Sequence, residues 1–322
     1  MARPRHVPDD HKVFAALPVT EVTVGNAGEY LAVHVAGTLR DSSVPIVCVP
    51  GYNRNMSDWS GFLRLAKDSL RDRVPIVLVD LKGRGRASDR PSAAAYSSLT
   101  DAADLIEVMR ALAIDRAIFV GQGYGGQVLM ALAANRPGLI AGTVLINAGP
   151  VSDSRGLVRL RVTLNDLIGV RGEASLRPML RRMAAADYPG VLEATLEEAS
   201  QRTHFVDNRG RLQPLFDPAL IKLLEPFDLD DVLVAQWPLF DALRCAPLMM
   251  MRTQLTQQLR RETFEEMMRR RRDAEAYVIE NQGSPALLDT ADDVEPVLDF
   301  VRKVVVPAKA AYKLGGGISA RA

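Results

Sequence analysis

The chain has 322 residues, 48% of them apolar and 25% charged, and a formal net charge of +1. That balance belongs to an ordinary globular protein, and so small a net charge gives no long-range field to draw in nucleic acid or a membrane surface. The length exceeds one minimal domain and falls short of two, which suits a single α/β domain carrying an inserted subdomain.

Two cysteines, Cys48 and Cys245, stand far apart in apolar stretches and read as reduced core thiols. The N-terminal residues lack the apolar run of a signal peptide. No run approaches the roughly 20 residues needed to span a bilayer. A cytoplasmic protein is expected.

Residues 1–17 are polar and proline-marked and read as a loosely held arm. Val22 and Val24, then Leu31, Val33 and Val35, alternate with polar neighbours around Gly25-Asn26-Ala27-Gly28, which predicts an antiparallel hairpin. Four short β-branched runs follow: Val44–Val49, Ile76–Val79, Ile118–Val120 and Val144–Ile146. Such runs suit strands buried on both faces. Between them, Leu105, Val108, Met109 and Leu112 recur with helical spacing behind a cap at Thr100 or Asp101, and Val128, Leu129, Leu132 and Ala133 do the same. Strands alternating with helices predict a mostly parallel sheet covered on both faces.

The rhythm stops after Pro150. Residues 151–240 show helix formers, no clear strand, and turn signals at 187–190 and 207–210; they predict a helical cap. The core resumes over 241–306, with a strand at 247–251, a helix at 262–272, a strand at 276–280 and a last helix from about 291 to 305. Residues 307–322, with three consecutive glycines, read as a flexible tail. The arginine run 269–272 reads as a solvated helix C-terminus.

Phe119-Val120-Gly121-Gln122-Gly123-Tyr124-Gly125-Gly126 lies at a strand-to-helix junction. The nucleophile elbow has the form Gly-x-nucleophile-x-Gly at such a junction. Its small outer residues let strand and helix meet through a tight turn, and its central residue takes a strained conformation. That residue is Gly123, which suits the strain and carries no reactive atom.

Three further segments carry a resemblance: Val49-Pro50-Gly51-Tyr52-Asn53-Arg54-Asn55, the Asp80–Asp89 segment DLKGRGRASD, and Ala235-Gln236-Trp237-Pro238-Leu239-Phe240. With the elbow, they make residues from about 40 to 305 resemble bacterial α/β-hydrolases of the helical-cap type. The resemblance implies an eight-stranded sheet, oxyanion-hole amides from Tyr52 and Tyr124, and a pocket between cap and core. It also implies three vacancies. The family nucleophile matches Gly123. The acid matches Gln257, following Thr256, or Asn147 at the alternative position. The histidine matches Gly283 in Gln282-Gly283-Ser284-Pro285.

The four histidines are His6, His11, His34 and His204, so none follows residue 204 to serve as the base. Removing triad members costs about 10⁴–10⁶ in rate. The expectation is therefore a pseudo-hydrolase without cofactor or metal. Its pocket, enlarged by the two glycines, would hold a small apolar, carboxylate or ester-like molecule. Gln122, Tyr124, Ser284, Thr256, Asn147 and Asp80 are the polar candidates around it, and a different reaction through them, or a scaffold role, is the alternative. His204 reads as a surface residue of the cap. The elbow glycines also fit G-x-G-x-x-G, but the acidic residue expected about 20 positions on is missing, which argues against a dinucleotide.

Overall fold

The computed structural model describes residues 7–8, 11–26, 28–40, 43–70, 73–190 and 193–311. Its centre is an eight-stranded sheet. The strands are β1 (Thr20–Thr23), β2 (Tyr30–Ala36), β3 (Ile46–Val49), β4 (Ile76–Asp80), β5 (Ala117–Gln122), β6 (Ile140–Ile146), β9 (Leu248–Thr253) and β10 (Glu275–Ile279). They lie in the order β1-β2-β4-β3-β5-β6-β9-β10. The β1–β2 and β2–β4 pairs are antiparallel and all the others parallel. The hairpin, the parallel core and the two late strands thus agree with the sequence pattern.

The strands alternate their side chains between two cores. Val47, Val77, Val79, Phe119, Leu145 and Met250 face one layer, made by α2 (Ser98–Ala111), α3 (Tyr124–Asn135), α8 (Trp237–Asp241) and α9 (Arg261–Arg270). Ile46, Cys48, Leu78, Val120, Ile146 and Met251 face the other, made by α1 (Ser60–Leu70) and α10 (Ala291–Ala311). Burial on both faces is why these strands read as continuous apolar runs. The α10 backbone continues beyond residue 305 to Ala311, and the glycine-rich end of the expected tail falls outside the described residues.

The inserted segment between β6 and α8 holds α4 (Ser154–Gly169), α5 (Glu173–Asp187), α6 (Glu193–Gln201) and α7 (Ala219–Lys222). It is not wholly helical. A two-stranded hairpin joins β7 (His204–Val206) to β8 (Leu212–Pro214). Its turn is held by Asp207, whose carboxylate accepts the N–H groups of Arg209 and Arg211. Three-residue strands are too short to show a period of two, so only the turn is legible in sequence. The segment has its own small core, with Leu164, Leu167, Phe216, Leu220 and Ile221 packed on Tyr96.

Several expectations are corrected. Val7, Phe14 and Leu17 are buried, so this part of the N-terminal arm is packed against the core rather than loose. Cys48 is buried as expected, but Cys245 is exposed, at the end of a 3-10 turn that points it outward. His204 is buried, not on the surface, between Thr203 Oγ1 at 3.0 Å and Leu167 O at 3.0 Å. In the arginine run, Arg271 is buried and donates to Leu243 O and Ala246 O, while Arg270 lies 3.9 Å from the centre of the Trp237 ring. No helix among the described residues is long and apolar enough to cross a membrane.

Candidate functional site at the strand–helix elbow

Gly123 joins β5 to α3 with φ 51° and ψ −114°. A side chain is strained at that φ, so glycine relaxes the turn. The joint is tight on every side. A Cβ on Gly121 would meet Gly125 C and Gly126 N at 2.8 Å, and one on Gly125 would run into the Val49 and Pro50 carbonyls. The elbow is pinned by Gly123 N–H donating to Ile146 O at 2.8 Å.

The loop after β3 lies alongside. Tyr52 and Tyr124 meet edge to face, with ring centres 5.3 Å apart. Both rings, with Tyr96, surround the fully buried guanidinium of Arg84 at 5.1 to 5.7 Å. Arg84 donates through Nε to Tyr52 O and through Nη1 to Lys82 O and Asp101 Oδ2. The Tyr124 phenol donates to Asp101 Oδ2 at 2.8 Å, and the Tyr52 phenol to Leu220 O of the cap. Burial pushes the Tyr52 hydroxyl up to about 12 and Tyr124 well above its ordinary value, so both are neutral donors committed to packing. The backbone N–H groups of Tyr52 and Tyr124 have no acceptor among the described residues.

Above Gly123 the space is taken. A Cβ there would meet Gln258 Oε1 at 2.7 Å. Gln258 is exposed, and its carboxamide has no hydrogen-bond partner among the described residues. The space at Gly283 is filled as well. A Cβ on Gly283 would meet Cβ, Oδ1 and Cα of Asp187, from the end of α5, at 2.6, 2.8 and 2.9 Å. The neighbouring Tyr188 hydroxyl donates to Pro285 O. Burial, against the opposing charge of Arg159, raises the Asp187 carboxyl above its ordinary range. The expected enlargement of the pocket at these two glycines is therefore corrected, because Gln258 and Asp187 of the cap occupy the space.

The remaining candidates form a neutral lattice. Asn147, itself at φ 51°, donates through Nδ2 to Thr253 Oγ1 at 2.9 Å and Ser284 Oγ at 3.0 Å. Its Oδ1 accepts Thr253 N–H at 2.8 Å. Thr256 and Ser284 share a 2.6 Å hydrogen bond. Gln122 is buried and donates to Ala286 O, bracing the loop after β10. Gln257 is exposed and stands outside this lattice, with its carbonyl turned toward Gly156 of the cap. Asp80 accepts Met56 N–H at 2.6 Å and Arg86 N–H at 2.9 Å, which makes it a brace between two loops rather than a group at the elbow. Among the described residues, no cluster of three His, Cys, Asp or Glu could hold a metal.

Residues 46–297 match the sequence model of the alpha/beta hydrolase family. The chain belongs to the alpha/beta hydrolase family. It is 27% identical over 200 residues to "Putative carbamate hydrolase RutD" of Rhizobium rhizogenes, covering 61% of this chain and 72% of that one. It is 27% identical over 186 residues to 2-hydroxymuconate semialdehyde hydrolase of Pseudomonas sp. strain CF600, covering 50% of this chain and 65% of that one. The crystal structure of an alpha/beta hydrolase from Novosphingobium aromaticivorans superposes with a TM-score of 0.76 at 24% identity, over 90% of this chain and 98% of that one, a likeness of fold.

Within this alpha/beta hydrolase, Gln258 and Asp187 are the site residues that sequence reasoning missed. Gln258 is one position beyond the residue matched to the family acid, and a loop offset of one carries no sequence signal. Asp187 reaches the site only because the cap folds back onto the loop after β10, a contact between residues almost a hundred positions apart.

Proposed function

We propose that this alpha/beta hydrolase is a non-catalytic binder of small carboxylate or ester-like molecules at the elbow. One observation carries the reading: the glycine elbow is covered by a carboxamide that nothing else holds, beside two backbone donors without acceptors. Gln258 Oε1 is a carbonyl oxygen over the elbow, 2.7 Å from where a Cβ on Gly123 would stand. An incoming carboxylate or ester carbonyl would displace it and accept the Tyr52 and Tyr124 amides. Backbone donors of this kind survive the loss of a nucleophile, since they depend on loop geometry and not on side chains.

The same surroundings argue against turnover by a serine-hydrolase route. The hydrogen-bond partners of Ser284 are Asn147 and Thr256, both neutral, and neither is a base at neutral pH. The names of the relatives and the Asp187 carboxyl at the histidine loop favour a second reading, an altered hydrolase or lyase in which Asp187 handles the proton.

The test is a thermal-shift and calorimetric panel of short aliphatic and aromatic carboxylates with their methyl esters, on the wild type and on Gln258→Ala. A ligand that binds the folded state raises its stability by mass action. The expected result is stabilisation by some members of the panel, and stronger stabilisation in Gln258→Ala, where the internal competitor is gone. No stabilisation of either protein sinks the binding reading. Ester turnover above the buffer rate that Asp187→Asn abolishes supports the second reading instead.

A further inference from the structure

Two surface features, at opposite ends of the sheet, complement each other. The first is a strap. Residues 231–236 carry no regular structure and run from the cap back to α8. Along it and just before it, Val232 is 97% exposed, Val234 81% and Leu229 56%. These are the most exposed large aliphatic side chains of that segment, and exposed Asp228, Asp230 and Asp231 stand beside them in the stretch Asp228-Leu229-Asp230-Asp231-Val232-Leu233-Val234. A monomer gains nothing by holding an apolar row in water, and such a row beside charges marks an interaction surface.

The second feature is a groove at the N-terminal ends of β5 and β6, on the far side of the sheet from Gly123. A cleft of about 460 Å³ and a cleft of about 200 Å³ adjoin there and share Ile114 and Asp115. Ile114 and Leu139 supply apolar floor. Arg110 and Arg136 line the first cleft, and Arg40 and Arg116 the second. Arg110 pairs with Glu107, and Arg116 donates to Ile140 O. Arg136 and Arg40 have no ion pair among the described residues. Cations at the ends of α2 and α3 partly answer the helix dipoles. Four guanidiniums along the two adjoining clefts exceed that need, and Asp115 is the single carboxylate in their lining.

The strap cannot reach this groove in its own molecule. Its end is fixed by Gln236 N–H donating to Pro150 O, beyond the C-terminal end of β6, and its start by Ser154 Oγ donating to Leu229 O. The groove begins before the N-terminus of the same strand, about 20 Å away along β6. The occupant must come from outside.

We propose that the occupant is a second copy of this chain, whose acidic, aliphatic strap lies in the arginine-lined groove. Leu229, Val232 and Val234 would bury on Ile114 and Leu139, and Asp228, Asp230 and Asp231 would face the arginines. Because the two patches differ, the contact is head-to-tail, and repetition closes a ring or extends a filament. Charge pairing of this kind steers encounter and fixes register, and salt weakens it.

The experiment measures mass in solution by sedimentation and light scattering, across protein concentration and at low and high salt. Wild type is expected to associate with rising concentration and to dissociate as salt rises. Two exposed-surface variants follow: Val232→Asp with Val234→Asp on the strap, and Arg116→Glu with Arg136→Glu in the groove. Each alone is expected to be monomeric at concentrations ten-fold above the wild-type midpoint. Mixed one to one, they should form a dimer that grows no further, since the strap variant keeps its groove and the groove variant keeps its strap. Circular dichroism checks that both are folded. Should either fail to fold, a synthetic peptide of residues 227–236 is titrated against wild type and is expected to bind and to dissociate its assemblies. A wild type monomeric at every concentration overturns the proposal. So do single variants that still assemble, mixed variants that stay monomeric, or a peptide that does not bind.

Discussion

Asp187 of the cap stands against Gly283 so closely that a Cβ on the glycine would lie 2.6 Å from the Asp187 Cβ and 2.9 Å from its Cα. The absence of a side chain on one residue is what seats the other. Gly283→Ala should therefore lower stability by about 1–3 kcal/mol, the usual cost of overpacking. Relief is available only by moving backbone, because Asp187 Cα is part of the contact. Asp187→Gly in the same chain should return part of the loss. Denaturant unfolding of the two single variants and the double gives the coupling, and strict additivity would refute the contact.

Gly123→Ser places a hydroxyl at the elbow and is expected to add no ester hydrolysis. The φ of 51° costs an L-residue roughly 1–2 kcal/mol, while the Gln258 tip is flexible and can turn aside. No histidine follows residue 204 to take the proton. The expected outcome is a modest fall in melting temperature and p-nitrophenyl ester hydrolysis at the buffer rate. Rapid turnover by this single variant would mean that a base has been overlooked.

Asn147 ties the ends of β6 and β9 to the loop after β10. Asn147→Ala leaves the Thr253 amide without its acceptor and removes a residue tolerant of positive φ. A buried donor left unsatisfied costs about 1–3 kcal/mol. Asn147→Asp keeps the acceptor, loses the two Nδ2 hydrogen bonds, and should cost less than alanine. Unfolding free energies in that order are the check, with the reverse order counting against the lattice.

Two buried histidines set an acid limit. Burial holds both His204 and His34 below the ordinary value of 6.5, against the backbone acceptors Leu167 O and Pro18 O that favour their protonated forms. Both are therefore neutral in the folded state at pH values where the unfolded chain begins to take up protons. Their contribution is complete above about pH 6.5 and is lost as pH falls below it, through the lower folded-state values. His204→Gln should flatten the stability profile in that window while leaving the alkaline side unchanged. An unaltered acid slope would show that His204 is solvated.

Much of the fold was legible because local and global preferences agree. Ile46–Val49 and Ile76–Val79 are apolar throughout since both sheet faces are covered, and Gly121 and Gly125 mark a joint where backbones touch. The site was legible only in outline. Nothing near His204 in sequence announces burial, because the carbonyl that receives it belongs to Leu167, 37 positions earlier. Gln258 and Asp187 were hidden for the same reason: each matters through a surface supplied by a distant segment. Cys245 is exposed despite its apolar neighbours, because they do not say which way a 3-10 turn points.

The crowding around Gly121 and Gly125 has one more consequence. Those residues are required by the way strand meets helix, whatever stands between them, while Gly123 faces outward toward a movable side chain. The joint and the residue at its centre are thus separable parts: Gly121 and Gly125 meet unyielding backbone, while position 123 meets a movable side-chain tip. Change at position 123 is limited by its positive φ and by the Gln258 tip, and change at 121 or 125 by backbone that cannot give way.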